Sequence, residues 1–506
     1  MRGCIILTCE YIIVQAGGKG TRLEHLTKNK PKCLVPVNNL PMLFHLFKKF
    51  PTKKYIIIGD YHYDVLNEYL KTFANVQYLL VRSTGKEGTL SGIKDALRLL
   101  PTNTPFLLTW SDLILSEDLQ IPEKGRYIGL SKDFRCRWKY EQEKFEEEPS
   151  YEYGVAGLFL FENKEVLHNI PEQGEFVRWL QQQNLQFNEL PMYKSKEYGL
   201  LSEYEKLEPQ KCRPFNQLEI KENTIIKKPI TKQGKEIAEK ELSWYKYVQE
   251  NSDFKQIPKI YSYEPFEMEK INGRNIYECG DISLEEKKTV LTAIVDMLKQ
   301  LHKIGRTETD YFSVKEAYFD KTMDRLNKIR DLVPFANQQF ITINNRKCRN
   351  IFFYKNQLEE KIKSLEVHNF ELLHGDCTFS NTMITNDLQP VLIDPRGYFG
   401  HIQLFGDVDY DWAKLYYSIV GNYDQFNLKK FDLVITVDQI KITVTSNNWE
   451  ELQEHFFELL QDEVREEKIK LLHAIIWLSL TTYAWEDYDS ICGAFYLGLY
   501  YLEEIL

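Results

Sequence analysis

Three glycines and two cationic side chains are packed into VQAGGKGTRL, residues 14–23, directly after the apolar run Tyr11-Ile12-Ile13. Glycine lets a chain turn sharply and bring amide N–H groups close to phosphate oxygens. Gly17, Gly18 and Gly20, with Lys19 and Thr21 among them, therefore read either as a phosphate cradle or as a tight strand-to-helix turn. Arg22 closes the segment and Lys32 follows ten residues later in NKPKCLVPV, so a bidentate fork and a point charge are available to a polyphosphate. A second set lies far downstream. HGDCTFSN, residues 374–381, orders His374, Asp376 and Asn381 as His-Gly-Asp-x-x-x-x-Asn, and Asp394 follows thirteen residues after Asn381 in VLIDPRG. An aspartate and an asparagine on one loop, then an aspartate ending a strand, supply one base and two magnesium ligands for phosphoryl transfer; the other reading is that His374 and Asp376 cap a turn.

These residues need elements to hold them. Between residue 11 and about 120, YIIV, LFHLFKKF, KYIIIG, DVLNEYLKTF, VQYLLV, GIKDALRLL and PFLLTW alternate short apolar runs with helical periods. That pattern predicts a mainly parallel, doubly wound α/β sheet with ligands at the carboxyl ends of its strands, where the glycine loop and Trp110-Ser111-Asp112 both fall. YGVAGLFLF, a helix around EFVRWLQQQ and KEYGLLSEYEK follow, and periodicity is lost in EPQKCRPFNQL. The division expected is residues 1–210 and 215–506. Beyond it, LEIKENTIIKK predicts a β-hairpin, KEIAEKELSWYKYVQE an amphipathic helix, and residues 283 to 370 a mostly helical stretch. The second set then lies between two short strands, with helices to the C-terminus.

A chain of 506 residues exceeds one hydrophobic core and fits two large domains. The net charge of −10 excludes general nucleic-acid affinity, so any anionic ligand must be held by local clusters. Nine dispersed cysteines with no CxxC pair predict reduced thiols and neither a disulfide framework nor structural zinc. The apolar stretch before Glu10 is six residues long and no later run approaches the roughly 18 to 20 residues of a membrane span, so a cytoplasmic chain without membrane insertion is expected.

GGKGTRL followed by NKPKCLVPVNNLPML resembles the signature of the nucleotidyltransferases that make NDP-sugars, and is similar in outline to the cytidylyltransferases that make CDP-choline; the likeness covers about residues 11 to 206. It implies a Rossmann-like nucleotidyltransferase fold and transfer of a nucleotidyl group from an NTP to a phosphomonoester, with release of pyrophosphate. The resemblance assigns the triphosphate to the Gly17–Gly20 loop and Arg22, and charge on the reacting phosphates to Lys32. It sets Gly88 and Thr89, in KEGTLSGI, beside base and acceptor, and Mg²⁺ on Asp112 and on Glu197, the latter standing where the family has aspartate. Lys28 and Lys30 flank the loop, either steering anions or solvated.

The second half, about residues 215 to 506, resembles the aminoglycoside phosphotransferase and choline kinase family, which implies an α+β protein-kinase-like fold. On that likeness Asp376 orients or deprotonates an acceptor hydroxyl and Asn381 and Asp394 hold Mg²⁺. Lys227 reaches the ATP phosphates and Glu241 anchors it, with Lys228 as the rival register. Glu269 lies in MEKINGRNI, the segment linking the lobes beside adenine. Asp407 and Asp411, in GDVDYDWAKL, shape the acceptor pocket. No glycine-rich loop precedes Lys227, and PRG follows Asp394 where choline kinases carry an acidic and aromatic pair. Arg396 either faces a hydroxylated or anionic acceptor or pairs with Asp407.

The two resemblances imply consecutive steps on one chain. A kinase uses ATP to phosphorylate a small sugar or alcohol, and a nucleotidyltransferase converts the product, with a second NTP, to an NDP-sugar or CDP-alcohol. Such donors feed capsule or lipopolysaccharide assembly through downstream glycan-assembly transferases. Two other readings stay open: choline, ethanolamine or a polyol as acceptor, and a kinase-like half that regulates without catalysis.

Overall fold

A computed structural model describes residues 9–83, 88–207, 216–461 and 464–506. They divide into two compact units, Met1–Pro209 with Glu486–Tyr488, and Gln210–Trp485 with Asp489–Leu506. Most of EPQKCRPFNQL, where periodicity is lost, lies outside the described residues.

In the first unit the apolar runs become strands because each is short and bounded by turns, the central ones buried on both faces and the edge run Gln77–Arg82 partly exposed. β1 (Tyr11–Gln15), β2 (Lys54–Gly59), β3 (Gln77–Arg82) and β4 (Phe106–Trp110) lie parallel in the order β3-β2-β1-β4. Helices Met42–Lys49, Tyr63–Phe73 and Leu90–Arg98 join them. The order reverses between β1 and β4, which opens a crevice beyond their carboxyl ends. The glycine loop leaves β1 there, and Ser111 and Asp112 leave β4. The sheet is less purely parallel than the alternation predicts: beyond β4 the fully buried β5 (Gly154–Phe161) runs antiparallel, and it carries Tyr127–Ser131 and a small hairpin on its other edge.

In the second unit an antiparallel sheet of β6 (Asn216–Ile220), β7 (Thr224–Pro229), β8 (Ile260–Tyr263) and β9 (Phe266–Glu269) is accompanied by α1 (Lys232–Asn251). The hairpin and helix agree with the sequence pattern. The stretch 283–370 and the C-terminal part are less helical than expected. They hold a hairpin, Phe340–Ile343 with Arg346–Arg349, whose turn puts Asn344 and Asn345 at φ 48° and 65°. A second hairpin, Phe431–Ile435 with Ile440–Val444, pairs with it through Ile343 and Ile440. Helices α2 (Leu284–His302), α3 (Lys321–Ile329), α4 (Asp409–Ile419) and α5 (Glu466–Leu480) surround strands Asn369–Leu372, Thr382–Thr385 and Pro390–Leu392. Among the described residues no helix is long and apolar enough to cross a membrane, and seven cysteines are buried.

Candidate active sites

The loop after β1 turns on two glycines. A Cβ on Gly17 would stand 3.0 Å from Asp60 Cβ; one on Gly20, which has φ 64°, would stand 2.9 Å from Thr27 Cγ2 and 3.0 Å from Lys32 Cβ. Gly20 also receives the Leu23 amide at 2.8 Å and the Thr27 hydroxyl at 3.2 Å, so the loop is clamped against the segment that carries Lys32. Gly18, Lys19, Thr21 and Arg22 are exposed on its open side.

Lys32 forms an ion pair with Asp112. A two-residue antiparallel ladder brings Glu197 to the same place, with Glu197 opposite Leu113 and the Tyr198 amide donating to the Asp112 carbonyl at 3.0 Å. The point of convergence is Gly199. A Cβ there would collide with Glu197 Oε1 and stand 3.1 Å from Lys32 Nζ and 3.3 Å from Asp112 Oδ2. Burial, and then the Asp112 carboxylate, push Glu197 up to about 7, while Lys32 and Arg22 pull it back. The sequence shows a glycine two residues after Glu197, as the family pattern has, but not the reason for it, which is this convergence.

Gly88 and Thr89 pack against residues 174–176. Gly88, at φ 85°, has the Gly174 carbonyl where a side chain would go, and Thr89 Oγ1 accepts the Phe176 amide at 3.0 Å. Lys30 is buried with its ammonium 2.9 Å from Asp487, which removes it as a solvated or steering lysine; Lys28 is exposed.

In the second unit the register of β7 decides between the two lysines. Lys227 points inward, 2.7 Å from Glu241 Oε2 and 2.9 Å from Asp394 Oδ1, whereas Lys228 pairs with Glu219 on the exposed side. Burial pushes Glu241 up to about 7 against the pull of Lys227. Burial opposes the Lys227 charge, but the carboxylates of Asp394 and Glu241 hold it above its ordinary range. Asp394 has φ 55°, and the Ile393 amide donates to the Asn381 carbonyl at 3.0 Å, tying the two loops together. Asn381 Nδ2 donates to both Asp376 O and Asp376 Oδ2 at 2.9 Å, which fixes the aspartate's rotamer. Glu269 ends β9, and its carboxylate accepts the Lys259 amide at 3.1 Å.

Asp411 and Asp407 do not have the place expected of them. The buried Asp411 accepts the His374 amide at 2.8 Å and the Gly375 amide at 2.7 Å, with His302 Nε2 at 3.1 Å, so it holds the backbone of the Asp376 loop. Burial alone would raise its carboxyl, and the His302 bond and loop amides keep it low. Asp407 is taken up by Lys468 at 2.9 Å and the Tyr318 hydroxyl at 2.8 Å; Arg396 therefore does not pair with it, and donates instead to Tyr410 Oη at 3.1 Å. His374 donates from Nε2 to the Ile393 carbonyl at 2.9 Å and accepts the Asp376 amide on Nδ1 at 3.3 Å, a neutral tautomer that burial maintains. Lys414, 2.9 Å from Asp376 Oδ1, was missed; a lysine five residues into an aspartate-rich helix start carries no local signal.

Comparison with known proteins matches residues 11–122 to the family model described as nucleotidyl transferase. The chain is 33% identical over 127 residues to D-glycero-alpha-D-manno-heptose 1-phosphate guanylyltransferase of Campylobacter jejuni, covering 24% of this chain and 57% of that one. It is 26% identical over 181 residues to the bifunctional protein GlmU of Methanococcus maripaludis, covering 32% and 44%. Among solved structures, the inositol-1-phosphate CTP transferase from T. maritima aligns with TM-score 0.34 and 16% identity over 38% of this chain and 91% of that one. The chain spans about half the length of these curated relatives. The matched span, residues 11–122, contains the loop, Lys32 and Asp112.

Proposed function

We propose that the chain is a bifunctional enzyme that phosphorylates a small sugar or alcohol with ATP and then transfers a nucleotidyl group from a second NTP to the resulting phosphomonoester. The observation that carries the pairing is the Lys227–Glu241–Asp394 set beside Asp376 and Asn381, in the same chain as the glycine loop and the Lys32–Asp112 pair. In the kinase step the acceptor hydroxyl oxygen attacks the γ-phosphorus, the bond to the bridging oxygen breaks, ADP leaves and the hydroxyl proton passes to Asp376. Asn381 and Lys414 hold that carboxylate in one rotamer. In the second step a phosphate oxygen of the new monoester attacks the α-phosphorus of the NTP and pyrophosphate leaves, with Arg22, Lys32 and the loop amides offsetting the charge of two repelling anions.

Both sites suit Mg²⁺. Asp112 and Glu197 offer hard oxygens around the space kept by Gly199, and Asp394 offers a carboxylate while Asn381 has committed only its amide N–H groups. When bound, the ion neutralises phosphate charge. The product is an NDP-sugar or CDP-alcohol of the kind consumed by glycan-assembly transferases in surface polysaccharide synthesis, made in the cytoplasm. The full chain incubated with ATP, Mg²⁺, each NTP in turn and a mixed acceptor library is expected to yield one new NDP species by mass, and Asp376→Asn is expected to abolish it by slowing ATP turnover roughly 10²–10⁴-fold. Unchanged ATP turnover in that variant overturns the kinase half of the reading.

A further inference from the structure

Two cations stand beside Asp376, Lys414 by an ion pair at 2.9 Å and Arg396 by packing on the neighbouring Gly375, and the charge of Arg396 reaches two more, Lys321 and Arg325. Lys321 and Arg325 lie one turn apart on α3, Arg396 follows the Asp394 loop, and Lys414 lies on α4. The Arg396 stem packs on Gly375, the residue before Asp376: a Cβ on Gly375 would stand 2.9 Å from Arg396 Cβ. The guanidinium lies 4.3 Å from the Tyr398 ring centroid and 5.8 Å from that of Tyr410, and the Lys414 ammonium is also 5.8 Å from the Tyr410 ring. Arg325 donates to the Ser479 carbonyl at 2.5 Å and to its hydroxyl at 3.1 Å. Among the described residues Lys321, Arg325 and Arg396 make no ion pair; rings, a hydroxyl and a carbonyl satisfy donors without neutralising charge. Glu316 is the carboxylate whose field reaches both Lys321 and Arg325. Burial and the charges of Arg396, Arg325 and Lys414 hold the Lys321 ammonium well below its usual range.

Like charges gathered in a half-buried place destabilise the empty protein, and a bound anion adds an attraction to each of them that offsets their mutual repulsion. We infer that Lys321, Arg325, Arg396 and Lys414 form an anion subsite beside Asp376, and that the alcohol phosphorylated there carries a carboxylate or phosphate group. The inference rests on the kinase reading of the second unit and narrows it: a quaternary amine would be repelled by Arg325, Arg396 and Lys414. The ATP phosphates are provided for separately, by Lys227 beside Asp394.

The test uses the full chain. With Mg·ADP saturating, titration with inorganic phosphate by calorimetry is expected to show binding that Lys321→Gln and Arg396→Gln each weaken roughly tenfold or more, while Lys228→Gln, on the exposed side of β7, leaves it unchanged. Because Lys321 has no ion pair to lose, Lys321→Gln is also expected to keep or raise Tm, which a structural lysine would not do. In turnover with Mg·ATP, glycerate or glycerol 3-phosphate is expected to be phosphorylated in preference to glycerol, choline and ethanolamine, the two anions separating a carboxylate subsite from a phosphate subsite. Phosphate affinity equal in wild type and both variants, a rise in the KM for ATP instead of the acceptor, or a higher kcat/KM for choline than for either anion overturns the inference. Failure of the kinase reading is distinct: ATP turnover is then indifferent to Asp376→Asn, whatever phosphate binding shows.

Discussion

Gly199 holds open the space into which Lys32, Asp112 and Glu197 converge. Gly199→Ala sets a methyl against Glu197 Oε1 and displaces all three, and a displacement of about 1 Å can cost on the order of 10²-fold in rate. The expected outcome is pyrophosphate release slowed at least about tenfold with ATP-dependent phosphorylation unchanged, measured in parallel on one preparation. The residue types themselves were legible: glycines, Arg22 and Lys32 announced phosphate, and Asp376, Asn381 and Asp394 announced phosphoryl transfer. Between Lys227 and Lys228 the sequence left the choice open, because side chains alternate along a strand and a slip of one residue exchanges the faces. Pairing of Leu218 with Lys227 and of Lys227 with Phe266 puts Lys227 toward Glu241. Arg396 was equally undecided until Asp407 was found with Lys468 and Tyr318.

Helix α4 carries the residue that shapes the Asp376 loop from behind. Asp411→Ala leaves the amides of His374 and Gly375 and the ring of His302 without their buried acceptor, a loss of about 3 kcal/mol of stability. Denaturant titration of the variant should show that loss, and at temperatures where it stays folded ATP turnover should still fall, because the loop backbone is released. Helix α5 supplies a pH test. His473 is held at about 3 by burial, with the Trp477 indole N–H donating to its Nε2 at 2.9 Å. Its folded-state pKa lies below the unfolded value near 6.5, so its contribution is complete above pH 6.5 and is lost as pH falls toward 3. His473→Gln, which retains an acceptor for Trp477, is expected to flatten the acid limb of the urea midpoint against pH when followed by tryptophan fluorescence. Long periodic elements such as α1 were readable in the sequence. The hairpins at 340–349 and 431–444 were not, because strands of four or five residues make little local pattern and gain their stability by pairing with each other through Ile343 and Ile440. The adjacent asparagines at 344 and 345, both in the left-handed region, were the turn signal available.

For the chain as a whole, two chemistries in sequence predict a separable block. Asp112→Asn is expected to stop nucleotidyl transfer by roughly 10²-fold or more while ATP consumption continues, so that the phosphomonoester accumulates and is detected by ³¹P spectroscopy. Disappearance of ATP consumption together with nucleotidyl transfer in that variant would contradict two independent active sites. The sequence by itself determined that there are two sets of phosphate-handling residues and that the first follows a strand in a βα series, because glycine content, charge type and apolar period are local properties that survive without knowledge of what folds against them. Only the tertiary structure decided that Glu197 joins Asp112, that Lys227 meets Asp394, that Asp411 holds the backbone of the Asp376 loop, and that Arg396 and Lys414 flank Asp376. Each of those is a juxtaposition of residues far apart along the chain, and distance along the chain carries no information about which charges will end up sharing one small volume.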